Sequence, residues 1–158
     1  MVIGLGNLLA SDDAVGIEVA RALLRGGCWP PIGSPEVRVV EGATAGLGLI
    51  DLLLDLDLAI LVDAISSGAP PGTVIRLEED QLPRANLRPL SAHDLALPEA
   101  LQLGRLLYPD RMPRKTVVFG VEAGQLAPYR QGLTAAVRAA VPEVVKAILS
   151  ELEAERTS

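Results

Sequence analysis

The sequence predicts an α/β fold: a three-layer α/β/α arrangement around a mostly parallel sheet of about five strands, in one domain spanning residues 1–158. Three observations predict it. Hydrophobic residues make up 49% of the chain but aromatics only 3%, so the core has to be aliphatic, which suits helices laid on a Val/Ile/Leu sheet. Apolar runs of strand length alternate with segments whose apolar residues recur at helical spacing. The length, 158 residues, is that of one compact domain able to bury most of its apolar surface.

The elements follow in order. "VIGLG", which begins directly after Met1, is an apolar run closed by glycine, and Ala14, Val15, Ile17, Val19, Ala20 and Leu23 then recur at near-helical spacing until "RGG". The Pro/Gly-rich "GGCWPPIGSPE" is a loop, "VRVVEG" alternates as a strand, and "AGLGLIDLLLDLD" is apolar at helical intervals. "LAILVDAI" is unbroken and aliphatic, the pattern of a strand buried on both faces at the centre of a sheet. "SSGAPPG" turns the chain into "TVIRLE", and so short a connection fits an antiparallel pair with this strand at the edge. The irregular "EDQLPRANLRPLSAHD" carries the one His. "LALPEALQLGRLLY" is an amphipathic helix with Pro98 in its first turn, and "KTVVFGVEAG" is a further buried strand. From Leu133 to Leu152 an apolar stripe faces charged residues, as in a helix packed on the sheet, with Pro142 expected to kink or restart it.

Composition excludes several function classes. A formal charge of −6 with no basic run provides no footprint for nucleic acid and none for an anionic membrane. Cys28 is the only cysteine, so neither an intrachain disulfide nor a thiolate zinc cluster can form, and no basic neighbour activates it. With no signal-like N-terminus and no apolar run of spanning length, the expectation is a soluble cytoplasmic protein. Ser91 and His93 are too close in sequence for a triad, and neither a G-x-S-x-G elbow nor a Walker A lysine motif is present.

The opening turn is the first candidate site. "GLGNLL" places Leu9 where a dinucleotide fingerprint requires its third glycine. Asp12 and Asp13 occupy the helix N-terminus, so a phosphate would meet two carboxylates whose repulsion outweighs the dipole's attraction. The turn suits a cation; equally, Ser11, Asp12 and Asp13 are ordinary cap and first-turn residues. Other strand ends add to it. In a doubly wound sheet, ligands gather outside the carboxyl ends of the strands, and Asp13, Glu41 and Asp63 lie at or just past the ends of the first three. Asp63 follows a buried run, where an unpaired carboxylate is costly, unless it caps the "SSG" turn. His93 alone is commonly an ordinary surface or core residue. With two carboxylates it would complete an oxygen/nitrogen set for a borderline divalent metal with open coordination positions.

Together, "GLGNLLASDDAVG", "LVDAISSGAPPGTV", "SAHDLALPEAL" and "VVFGVEAG" resemble, in order and along nearly the whole chain, the maturation endopeptidases of nickel-iron hydrogenases. The resemblance implies a three-layer fold and removal of a short C-terminal extension from the precursor of the hydrogenase large subunit once nickel is inserted. It also implies metal binding by two acids and a His, which fall by motif on Asp13, Asp63 and His93. The acidic residue of the family's "DGGTxG"-like loop falls on Glu41 in "EGATAG". Asp13 stands where Glu is frequent, which draws its oxygens back by about 1.5 Å, one C–C bond. On this reading nickel arrives with the precursor, cadmium or zinc can stand in for it, and Glu41 or Asp63 accepts a proton during catalysis. The protein is expected to be monomeric, with the precursor's tail held by the rim loops "SSGAPPG" and "EDQLPRANLRPLSAHD". The rival classes are a nucleotide- or cofactor-binding α/β module built on the glycine turn and a hydrogenase assembly factor that grips without cutting.

Overall fold

The computed structural model describes residues 1–26, 37–43, 46–84, 96–127 and 129–157. Among them five strands form one sheet: β1 (Val2–Leu5), β2 (Val39–Ala43), β3 (Leu58–Ile65), β4 (Val74–Glu78) and β5 (Lys115–Glu122), in the order β2-β1-β3-β5-β4. Helices α1 (Val15–Arg25), α2 (Leu47–Leu53), α3 (Leu97–Leu107) and α4 (Ala135–Arg156) cover it, with 3-10 turns at Ser11–Ala14 and Glu79–Arg84. β1 runs parallel to β2 and β3, and β3 parallel to β5. β4 pairs antiparallel with β5 at the edge, because the stretch from Ser66 to Thr73 is too short for a parallel crossover. β3, the unbroken aliphatic run, takes the middle of the sheet.

Alternation along the strands divides the core. Val2, Ile60, Val62, Val117 and Phe119 face α1 and α4, whose Val15, Val19, Val144 and Ile148 close that layer. Ile3, Leu61 and Val118 face α2 and α3, packing on Leu49, Leu53 and Leu101. No helix among the described residues is long and apolar enough to cross a membrane. Two expectations change. α4 runs through Pro142 without restarting; the missing N–H and ring clash cost about 3 kcal/mol, outweighed by the buried stripe Val137, Ala140, Val144, Ile148 and Leu152. α2 is shorter than its apolar periodicity, since Leu54 is already extended and Asp55 turns left-handed at φ 61°.

This topology determines where a ligand can sit. The connection leaving β1 passes through α1 to β2 on one side, whereas β3 leads toward β4 and β5 on the other. The reversal opens a crevice outside the carboxyl ends of β1 and β3.

Candidate active site

Glycines bring the first turn over that crevice. Gly6, at φ 131°, lies so close to the returning loop that a Cβ would stand 1.8 Å from the Asp13 carbonyl oxygen. A Cβ on Gly16 would stand 2.3 Å from the carbonyl oxygens of both Leu5 and Val62, and one on Gly4 would stand 2.1 Å from that of Gly16. These glycines therefore serve close packing of α1 on β1 and β3. Gly16, inside the helix, does what the third glycine of a dinucleotide fingerprint does, and sequence spacing did not reveal it.

Asp12 and Asp13 then separate in role. Asp12 and Asp13 do lie in the first turn, at Ser11–Ala14, but neither that turn nor α1 has a side-chain cap bond. Asp12 is wholly buried, and its carboxylate accepts from the N–H groups of Gly124 (2.9 Å), Gln125 (2.8 Å) and Thr134 (2.7 Å) and from the Thr134 hydroxyl (3.0 Å). It clasps the opening loop to the segment joining β5 to α4. Ser11, left-handed at φ 53°, is held there by donating its N–H to Arg130 O (2.8 Å) and its hydroxyl to Gly132 O (3.2 Å). This anchoring aims the next residue but one, half-buried Asp13, toward the end of β3.

Asp63 does not end β3: the strand stays buried through Ala64 to Ile65, and Asp63 is the less buried residue between Val62 and Ala64. The residue keeps some exposure, but its carboxyl is enclosed by protein, and burial, reinforced by the nearby Asp13 charge, pushes its pKa from 3.8 up to about 7 against a backbone hydrogen bond from Ala64. It does not cap the "SSG" turn. Buried Glu122, at the end of β5, does so instead, accepting from the N–H groups of Ser67 (3.0 Å) and Gly68 (3.0 Å) and from the Ser67 hydroxyl (2.7 Å). The burial argument applied to Asp63 holds equally for Glu122, which follows the apolar run "VVFGV"; that signal was present in the sequence and missed.

The structure thus brings Asp13 and Asp63 together and leaves Glu41 apart. Glu41 lies opposite Gly4 in the register, on the far side of β1 from β3, about 10 Å from β3 at the usual strand spacing. Its position matches Val62, so it faces α1, where its exposed carboxylate accepts from Arg21 Nε at 2.5 Å. Asp63, one residue beyond Val62, points to the opposite face. His93 and the "ANLRPLSAHD" stretch lie outside the described residues, and among those described no three His, Cys, Asp or Glu side chains form a metal-sized group.

Comparisons with known proteins cover nearly the whole chain. The profile of the hydrogenase maturation protease family matches residues 17–151. The hydrogenase 2 maturation protease of Escherichia coli K12 is 31% identical over 153 residues, which cover 96% of this chain and 89% of the relative. The hydrogenase expression/formation protein HupD of Thiocapsa roseopersicina is 29% identical over 96% of this chain, which spans 66% of that relative's length. Among solved structures, the hydrogenase maturating endopeptidase HybD from E. coli aligns with a TM-score of 0.77 at 28% identity, over 98% of this chain and 91% of the other.

Proposed function

The chain belongs to the hydrogenase maturation protease family, and from that premise we propose that it is a nickel-dependent endopeptidase that removes the C-terminal extension of a nickel-iron hydrogenase large-subunit precursor. The observation that carries this reading is the pair Asp13 and Asp63 at the switch point, where the second carboxyl is pushed up to about 7 by burial and by the charge of the first. Two carboxylates that oppose each other's ionisation gain most from an arriving divalent cation, and carboxylate oxygens suit it chemically. In the proposal Asp13, Asp63 and His93 engage the nickel carried by the precursor, so the tail is presented only after metal insertion. Nickel, as part of the substrate, supplies Lewis acidity. Asp63 accepts the proton of the attacking water, its pKa lying where a general base works at neutral pH. Glu41, held by Arg21 on the other face, takes no part. Leu9, Leu126 and Tyr129, exposed on the loops after β1 and β5, furnish the rim with apolar surface for a protein partner. The enzyme acts as a cytoplasmic monomer.

The test is cleavage of nickel-loaded and nickel-free precursor by wild type, Asp63→Asn and His93→Ala. The proposal expects processing only of the loaded form and a loss of about a hundredfold or more in both variants. Processing by His93→Ala at the wild-type rate removes the ligand role. A protein that binds loaded precursor without cutting it is an assembly factor, and heat protection by adenine nucleotides but not by nickel, cadmium or zinc marks a nucleotide module.

A further inference from the structure

A groove of about 670 Å³ lies between α1 and the start of α4, with Leu8 and Ala14 also in its lining. Its α1 wall carries Glu18, Arg21 and Arg25, which share one helix face, and its α4 wall carries Arg138. Three guanidinium groups against one carboxylate make this lining cationic in a chain of formal charge −6. Arg21 is engaged by both Glu18 (3.1 Å) and Glu41 (2.5 Å). Arg25 and Arg138 are much less committed. Arg25, with a side chain 67% exposed, comes only within 3.9 Å of Glu18, and Arg138 donates to the carbonyl of Leu133 at 3.1 Å. Leu133, Val141 and Pro142 add an apolar wall.

We propose that this groove holds an extended, acidic and partly apolar segment of the precursor adjoining the cleaved bond, an inference that rests on the endopeptidase reading. Dimensions and chemistry select a peptide. From Ala14 to Arg25 the groove follows α1 for about 16 Å at 1.5 Å per residue, room for about five extended residues. The spread of the guanidiniums along and across it suits acidic side chains spaced on a chain, with aliphatic ones against the apolar wall. Ala14 in the groove's lining directly follows Asp13 in the chain, so a segment leaving the groove past the carboxyl ends of β1 and β3 reaches the site. Its charges oppose those of the acidic rim, so it also determines the direction in which the tail enters.

The test uses the full-length protein, Arg25→Glu/Arg138→Glu, and the milder Arg25→Ala/Arg138→Ala, each checked by thermal midpoint. Binding of a labelled eight-residue Glu/Leu peptide and of its Lys/Leu counterpart is titrated at low and high salt, and cleavage of nickel-loaded precursor is followed in parallel. Expected are binding of the Glu/Leu peptide alone, weakened about tenfold by charge reversal or salt, and a KM for precursor raised about tenfold with kcat unchanged. Equal peptide affinity for wild type and both variants overturns the proposal, as does tight binding of inorganic phosphate or ADP that excludes the peptide. Peptide binding that holds while wild type fails to cut the precursor supports the groove and counts against the endopeptidase reading alone.

Discussion

Asp12 and Asp63 occupy the same rim of the same sheet, and the protein treats their carboxyls in opposite ways. Asp12 is buried and meets four donors; Glu122, on β5, likewise has the donors of Ser67 and Gly68 closed around it. Asp63 has a backbone partner at Ala64 and the like charge of Asp13 nearby, and its pKa rises to about 7. Desolvating a carboxylate is offset where donors converge and left standing where they do not. A protein whose neighbouring acids are fully satisfied has the means to satisfy this one too. Asp63 is therefore the acid of this rim whose charged form the fold favours least, and Asp12 and Glu122 are the frame that holds the surrounding loops in position.

The contrast breaks most visibly at Asp12. Asp12→Ala leaves the donors of Gly124, Gln125 and Thr134 buried without an acceptor, and is expected to cost about 3–5 kcal/mol, as does loss of one partner in a buried charged network. At 2–4 °C per kcal/mol for a chain of this size, the thermal midpoint falls by about 10 °C, measured by calorimetry. An unchanged midpoint removes the clasp. Asp63 behaves in the opposite sense. Its folded pKa of about 7 exceeds the ordinary 3.8, so the native state holds a proton that the unfolded chain releases. That contribution is whole below about pH 4 and is lost as pH rises through 7. Asp63→Asn, which stays neutral, is expected to exceed wild type in stability at pH 8 by roughly 4 kcal/mol and to match it near pH 4, in denaturant titrations at both pH values. Cadmium, which favours the ionised carboxylate, then raises the wild-type midpoint more at pH 7.5 than at pH 5. A metal shift independent of pH places the ion elsewhere.

The same contrast explains what could be read from the chain. β3 was legible because "LAILVDAI" has no polar interruption before Asp63, and a strand buried on both faces looks the same wherever it sits. Asp13 and Asp63 were legible as rim residues because topology alone carries both close to strand ends. The roles of Asp12 and Glu122 were not, because their partners lie 112–122 and 54–55 residues away in sequence, beyond any local spacing rule. That the helix continues through Pro142 instead of restarting was not legible, because a local breaker was outweighed by tertiary packing. The face that Glu41 presents was not legible, because sequence position along a strand does not give the facing: its register with Gly4 turns it to α1, and only pairing reveals that.

Two smaller effects sharpen the comparison. Glu122→Gln keeps one acceptor oxygen but presents an amide to remaining N–H donors, at an expected cost of about 1–3 kcal/mol. The faster hydrogen exchange it causes should be confined to Ser67, Gly68 and their neighbours; exchange rising throughout the sheet instead marks a general core defect.

The smallest effect is expected at Glu41. It is an exposed carboxylate paired with Arg21, and exposed pairs contribute little in water. If the sheet separates it from the chemistry, Glu41→Gln processes nickel-loaded precursor at the wild-type rate, with an unaltered pH profile and thermal midpoint. A rate loss on the scale of Asp63→Asn has a different meaning. The carboxylate would then have left Arg21 and crossed the end of β1 to reach the substrate, and the base of the reaction would be Glu41, with Asp63 retained for the metal alone. The pH profile tests the first case directly: a base at Asp63 places the acid limb of kcat/KM near 7, and that limb disappears in Asp63→Asn.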